Sequence, residues 1–420
     1  MTMVGAPPLT GRRLWVALLA VFLLVVLSVV PWRRGAIFDG GVDTVVIAKA
    51  VISFLAFGFA LAVRAASAHR GVVGLRSLAL LAGITAVSAL GAIGAGDPMP
   101  SLVLTVRIVI VAATVVVLVA AAPPRTALMT LLAAMGAVAV FSGLTGAIIG
   151  GSDRLAGGIP EMAPNVLAGL AGPPLIAVAL DLASRGIRWS SGSAFVALLA
   201  IVLATGSRTS LAVVLVGILL VLLHVRRLPA SVMIVTIASV PAVFALFAFN
   251  DTVAQSLSRG QSIDELATLS SRTVAWEAVL ATPFDTWDKW IGIGLAAKLV
   301  PVQERWRDEQ VLDSSWVSII AQAGIIGTAL LLAWVVATVA DSIRRRDLAM
   351  LTTPLLAVIL IRSFTENGLI ESSSTFLLFL AIALTLEPGS RNPAPPRHGS
   401  YRLAIAPQAF QHEPAKQYRH

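Results

Sequence analysis

The chain has 420 residues, 57% of them hydrophobic and 13% charged, with a mean hydropathy of +0.88. A soluble fold could not hide that much apolar surface, whereas a bilayer asks for about 20 apolar residues per spanning helix, so the composition reads as a polytopic membrane protein. There is no cysteine, the five histidines are scattered, and the net charge of +9 is spread between apolar spans, so no metal, no cofactor and no nucleic acid is expected as a partner.

Apolar runs broken by charge, glycine or proline predict an all-α protein with about twelve transmembrane helices. Their limits are 14–30, 44–63, 73–95, 101–122, 126–149, 163–184, 192–205, 209–225, 229–249, 314–340, 349–363 and 372–387. The first run follows Arg12 and Arg13, and the Pro31-Trp32 after it makes a poor cleavage site, so it reads as a retained span. Only Gly206-Ser207-Arg208 parts the seventh from the eighth. A long outer loop, 250–313, holds Trp276, Trp287, Trp290 and Trp306, a content suited to helices lying at the water–lipid interface. Residues 1–387 are expected to form one membrane domain, and the proline- and arginine-rich 388–420 a flexible cytoplasmic tail. In the short loops, arginine and lysine favour the side of the N-terminus, which puts both termini in the cytoplasm.

Several cations remain on the outer side. Arg208 stands where the eighth span begins, and Ser207, Thr209 and Ser210 suit a helix start. Free N–H groups, the positive end of the helix dipole and a guanidinium fork together suit a phosphate or diphosphate. The plainer reading is an arginine that caps a turn or reaches up to the headgroups. Arg154 and Gly157 precede Asn165 at the sixth span; Arg272 stands four residues before Trp276, with Gly292 and Gly294 beyond; Asp313-Ser314 opens the tenth span. Each has a structural alternative as well: Arg272 could pair with Glu277 or Asp264, and Asp313 could cap its helix. Lys49 and Arg107 lie deep in spans, where a cation is costly unless paired or facing a cavity. Asp43 and Asp97 are their candidate partners, and no motif draws either into the expected site.

Taken in chain order, these pieces resemble the O-antigen ligase and polymerase superfamily of bacterial membrane glycosyltransferases. The likeness rests on Arg154-x-x-Gly157 before Pro164-Asn165, on Ser207-Arg208, on Ser271-Arg272 with Trp276 and the Gly-x-Gly after it, and on a polar pair eleven residues ahead of Gly324-x-x-Gly327. The resemblance implies an enzyme of the bacterial inner (plasma) membrane. It would take a glycan from a polyprenyl-diphosphate carrier and pass it to a hydroxyl of a glycan or lipid acceptor, without a metal. On that pattern Arg208, Ser207, Thr209 and Arg272 would hold the diphosphate, Arg208 and Arg272 would also act in catalysis by offsetting charge as the bond breaks, and Asp313 would be the catalytic base or the group that orients the acceptor. Arg154, Asn165, Ser314 and Trp276 would line the glycan or acceptor side, with Glu366 and Glu371 as further acceptor contacts. Ligases of the family usually carry His-Asn where this chain has Asp313-Ser314, which leans the reading toward a polymerase. A transporter or lipid-linked glycan flippase is the alternative from another class; internal repeats would favour it, and none is seen. A peptidoglycan-polymerase-like transferase fits the arginine motifs less well.

Overall fold

The computed structural model describes residues 9–33, 43–150, 154–225, 229, 232, 272–304 and 307–388. Eight helices come first: α1 (Gly11–Val29), α2 (Thr44–Ala66), α3 (Arg76–Gly94), α4 (Pro98–Ala120), α5 (Pro124–Ile149), α6 (Pro164–Arg185), α7 (Trp189–Ala204) and α8 (Arg208–His224). Then follow α9 (Arg272–Leu280), α10 (Trp287–Ile291), an antiparallel hairpin of β1 (Leu299–Glu304) and β2 (Arg307–Val311), and α11 (Ser315–Arg344), α12 (Arg346–Ser363) and α13 (Ser374–Leu386).

Local chemistry explains many of the boundaries. Proline opens α4, α5 and α6, where its missing N–H costs nothing. Asp43 caps α2 by accepting from the Val46 N–H at 2.7 Å, and Ser373 caps α13 by accepting from the Phe376 N–H at 3.1 Å.

Seven of these helices, α1 to α6 and α11, are long and apolar enough to cross a membrane, and α7, α8 and α13 are shorter apolar helices. The protein is thus a multi-pass, all-α membrane protein, with a small hairpin that the hydropathy pattern did not announce. Eleven of the twelve expected spans coincide with a helix, but only seven are both long and apolar enough to cross a membrane, and the expected span 229–249 lies almost wholly outside the described residues. So does nearly all of the expected tail, from 389 onward.

The core gathers around α13. Every residue from Phe376 to Leu386 is buried, as suits a helix that is apolar all round. Trp334 of α11 packs edge-on against Phe379 with ring centroids 5.0 Å apart. Around this axis α5 and α6 are 67% and 72% buried, whereas α2, packed on α1 and α4 at the perimeter, is only 17% buried. At one end Arg76 pairs with Asp341 at 2.5 Å, and the Glu387 carboxylate accepts from the backbone N–H groups of Arg76 and Ser77, tying α3, α11 and α13 together.

The other end is hollow. With 13 residues, α13 is about 20 Å long against a hydrocarbon core of about 30 Å. The non-helical stretch 364–373 takes up the remaining height.

The tenth expected span is also interrupted at this end. Gly324, with φ +65°, breaks α11 where its backbone meets that of Trp290 and Ile291. A helix broken among apolar neighbours must find new partners for its freed carbonyls. The Gly-x-Gly turn supplies them: Ile293 N–H donates to the Ala321 carbonyl at 2.9 Å and Gly294 N–H to that of Gln322 at 3.1 Å.

Candidate functional site

The hollow end holds a wide cavity that opens to the surface. Its walls carry five cations, Arg33, Lys49, Arg107, Lys298 and Arg362, and three carboxylates, Asp43, Glu366 and Glu371. Such a concentration of charge at the end of an apolar bundle marks a site rather than a packing solution.

On one side, a relay of polar groups fixes the geometry. Arg154 Nε donates to the Thr205 carbonyl at 2.7 Å, and its Nη2 to Asn165 Oδ1 at 2.9 Å. Asn165 Nδ2 in turn donates to Glu366 Oε1 at 3.1 Å. Arg362 crosses from α12 to the Asn165 carbonyl at 2.7 Å. It can do so because residue 169, one turn along α6, is glycine: a Cβ there would overlap the Arg362 guanidinium. The relay therefore runs from the turn between α7 and α8, which carries Ser207 and Arg208, to the carboxylate that faces the cavity.

On the opposite wall Glu371 is gripped from three directions. Lys298 Nζ stands 2.9 Å from Oε2, while Asn367 Nδ2 and Gln322 Nε2 donate to Oε1 at 2.6 and 3.4 Å. Gln322 is held just ahead of the break in α11, and its carbonyl also accepts from Ser88 Oγ at 2.8 Å. The irregular backbone at Gly324 thus presents a side chain to the site.

At the rim, Arg33 and Asp43 pair at 2.6 Å. The Val46 N–H, and after it Arg33, holds the Asp43 carboxyl below the usual carboxylate range.

The residues expected from the sequence divide. Arg154 and Asn165 come together with Glu366. Ser207 is the N-cap position of α8, which starts at Arg208 and continues through Thr209, though the Ser207 hydroxyl donates to Ser210 Oγ at 3.0 Å instead of accepting from the backbone. Arg272 opens α9.

Trp276 packs with the small cluster of Ala275, Val279, Leu312 and Val317, and its indole Nε1 is buried with no partner among the described residues. Asp313 stands one residue before Ser314, the N-cap position of α11, and is not among the cavity-lining residues. Ser314 is buried, its hydroxyl 3.5 Å from the Ser363 carbonyl, and Ser315 Oγ donates to the Glu366 carbonyl at 2.9 Å. The start of α11 is therefore stitched to the segment that carries Glu366. Among the described residues no three histidine or carboxylate groups gather as a metal site.

Lys49 and Arg107, set aside in the sequence, line the cavity. Neither forms the expected ion pair among the described residues: Asp43 lines the same cavity but is bridged to Arg33, and Arg107 Nη2 donates to the Ser28 carbonyl at 2.7 Å. The sequence signal was the cost of a cation inside a span; what it lacked was any sign that α2 and α4 are neighbours.

Residues 193–332 match the family model described as O-antigen ligase. That stretch begins within α7 and ends within α11, so it contains Arg208, Arg272 and Asp313 but neither Arg154 nor the two cations of α2 and α4. No curated protein matches the chain.

Proposed function

We propose that this multi-pass membrane protein is a glycosyltransferase of the O-antigen ligase type, a reading supported by the match over residues 193–332, and that its cavity is the reaction chamber, open to the outer face of a bacterial plasma membrane, with both termini in the cytoplasm. The donor is a glycan on a polyprenyl diphosphate, and the acceptor is a hydroxyl of a second glycan or of a lipid. The hydroxyl oxygen attacks the anomeric carbon, the bond from that carbon to the diphosphate oxygen breaks, and the lipid diphosphate leaves with the electron pair. Attack opposite the leaving group inverts the anomeric centre. Charge builds on the departing diphosphate, where preorganised cations act most strongly. Arg208 at the start of α8, with Ser207, Thr209 and Arg272, takes the sugar-side phosphate in this reading.

The hydroxyl proton needs a carboxylate. Asp313 is the candidate within the O-antigen ligase stretch, and Glu366 is the candidate within the cavity. Asn165 donates to Glu366 Oε1 and so fixes a carboxylate that lines the chamber, an arrangement that suits a general base. Arg154 and Asn165 hold the acceptor wall in register with the Arg208 turn, with Ser314 and Trp276 supporting it from α11 and α9. The observation that carries the reading is a large, charged cavity at the hollow end of an apolar bundle, linked by the Arg154–Asn165–Glu366 relay to the turn that bears Arg208.

The test is mass spectrometry of polyprenyl-diphosphate glycans in cells lacking the protein, complemented with wild type or with Arg208→Ala. Single repeat units accumulating in both the deletion and the Arg208→Ala strain are the expected result, and they specify a polymerase. Long lipid-linked chains would specify a ligase. An unchanged pool would sink the transferase reading.

A further inference from the structure

Two of the five cavity cations are held in ion pairs, and Arg362 is tied to a backbone carbonyl across the site. Arg33 is bridged to Asp43, Lys298 to Glu371, and Arg362 donates to the Asn165 carbonyl. Lys49 and Arg107 form no ion pair among the described residues. Arg107 spends Nη2 on the Ser28 carbonyl, but its Nε is buried without a hydrogen-bond partner among those residues. Counted along their helices at 1.5 Å per residue, the two lie about 8 and 14 Å in from the starts of α2 and α4. At that depth an unpaired cation is expensive, and a chain that keeps two of them facing one space has a use for them.

The same two side chains line a second space that runs the other way. Between α2 and α4 an open groove is walled by Val46, Ala50, Phe54, Leu102, Val106 and Ile110. It lies on the perimeter, where Phe54 is 59%, Leu102 54% and Val106 47% exposed, so in a bilayer it faces the lipid tails. Lys49 and Arg107 therefore stand at a junction, with an apolar groove open to lipid on one side and a charged chamber on the other. That junction has the shape of one kind of ligand: a single apolar chain ending in a concentrated anionic head that carries a polar cargo.

We propose that the α2–α4 groove holds the head-proximal isoprenes of a polyprenyl diphosphate, with Lys49 and Arg107 on the lipid-side phosphate. This rests on the transferase reading and deepens it. The carrier slides in laterally from the bilayer between α2 and α4, its glycan lies in the chamber, and the sugar-side phosphate points toward Arg208. The occupant is a polyprenyl carrier rather than an ordinary phospholipid for two reasons. A diphosphate matches two uncommitted cations better than a phosphodiester with one charge does. One groove between two helices also suits one chain, and the chamber beyond it suits a glycan.

The experiment uses the full-length protein in phosphatidylcholine nanodiscs, with undecaprenyl diphosphate carrying a diazirine on its first isoprenes. Cross-linked peptides should map to α2 and α4 around Phe54 and Val106. Binding of radiolabelled undecaprenyl diphosphate should weaken by about tenfold or more in Lys49→Met and in Arg107→Met, the loss of one charge-assisted contact. Ala50→Trp fills the groove while leaving both cations in place, and should abolish the cross-link with the melting temperature unchanged. Cross-links confined to other helices, or undiminished binding in both methionine variants, would overturn the groove and leave the transferase reading standing. Equal competition by phosphatidylglycerol vesicles would give the groove to bulk anionic lipid and also overturn the proposal. Failure of the wild-type protein to bind undecaprenyl diphosphate at all would overturn the proposal and the transferase reading together.

Discussion

Arg154 and Arg107 are both arginines at the hollow end of the same bundle, yet they are held in opposite ways. Arg154 gives Nε to a carbonyl and Nη2 to a side-chain amide, which itself holds Glu366. Arg107 has one carbonyl for Nη2 and a buried Nε with no partner among the described residues. A satisfied buried cation stabilises one arrangement of the chain around it. An incompletely satisfied one costs free energy until something anionic arrives. The contrast separates the Arg154–Asn165–Glu366 wall, whose polar groups hold one another in place, from the α2–α4 junction, where the proposal above puts the carrier diphosphate.

The sharpest way to break this comparison is to remove the two uncommitted cations. Lys49→Met with Arg107→Met should lower glycan transfer by roughly 100-fold or more, the usual cost of losing contacts to developing charge. Thermal stability in detergent should hold or rise, because a buried charge without a full set of partners has gone. A fall in stability matching the fall in activity would erase the distinction.

The next largest effect belongs to the break in α11. Gly324→Ala puts a Cβ where φ is +65° and where the Trp290 backbone already lies, so about 3 kcal/mol of stability should be lost. Chemical denaturation in detergent micelles would measure it. Activity should fall as well, because Gln322 no longer meets Glu371 in register.

Asn165→Ala tests the committed side directly. It should cost about 2 kcal/mol by stranding Arg154 and Glu366, with transfer reduced mainly through kcat. A change confined to KM would instead make Asn165 a simple substrate contact.

The smallest effect is expected at the rim, where Arg33 and Asp43 are both well exposed. Arg33→Gln should leave the melting temperature unmoved. Since the Asp43 carboxyl is held low, its cap on α2 is fully present above the ordinary carboxylate range and is lost only as pH falls through the depressed value. Circular dichroism across that acid window would show α2 fraying at its start.

Hydropathy alone made the all-α membrane class legible and located most of the helices, because the bilayer imposes the same length and polarity on every span. The start of α8 at Arg208 followed from local chemistry. Arg154 and Asn165 stand eleven residues apart and meet across one loop, a contact that the fold supplies. The β-hairpin was not legible: its strands are short, and no bilayer imposes a pattern on a loop. Nor was the break at Gly324, because a positive φ is demanded there by the backbone of Trp290, which arrives from elsewhere in the chain.

The chamber itself belongs wholly to tertiary structure. Lys49, Arg107, Lys298 and Arg362 come from α2, α4, the turn before β1 and α12, and no spacing in the sequence announces that they share one space. Sequence determined which residues were too polar to be idle in a membrane, because the cost of burying a charge depends on the residue alone. Only the fold decided which of them were paid for by partners and which were left facing a cavity, because that depends on neighbours far apart in the chain.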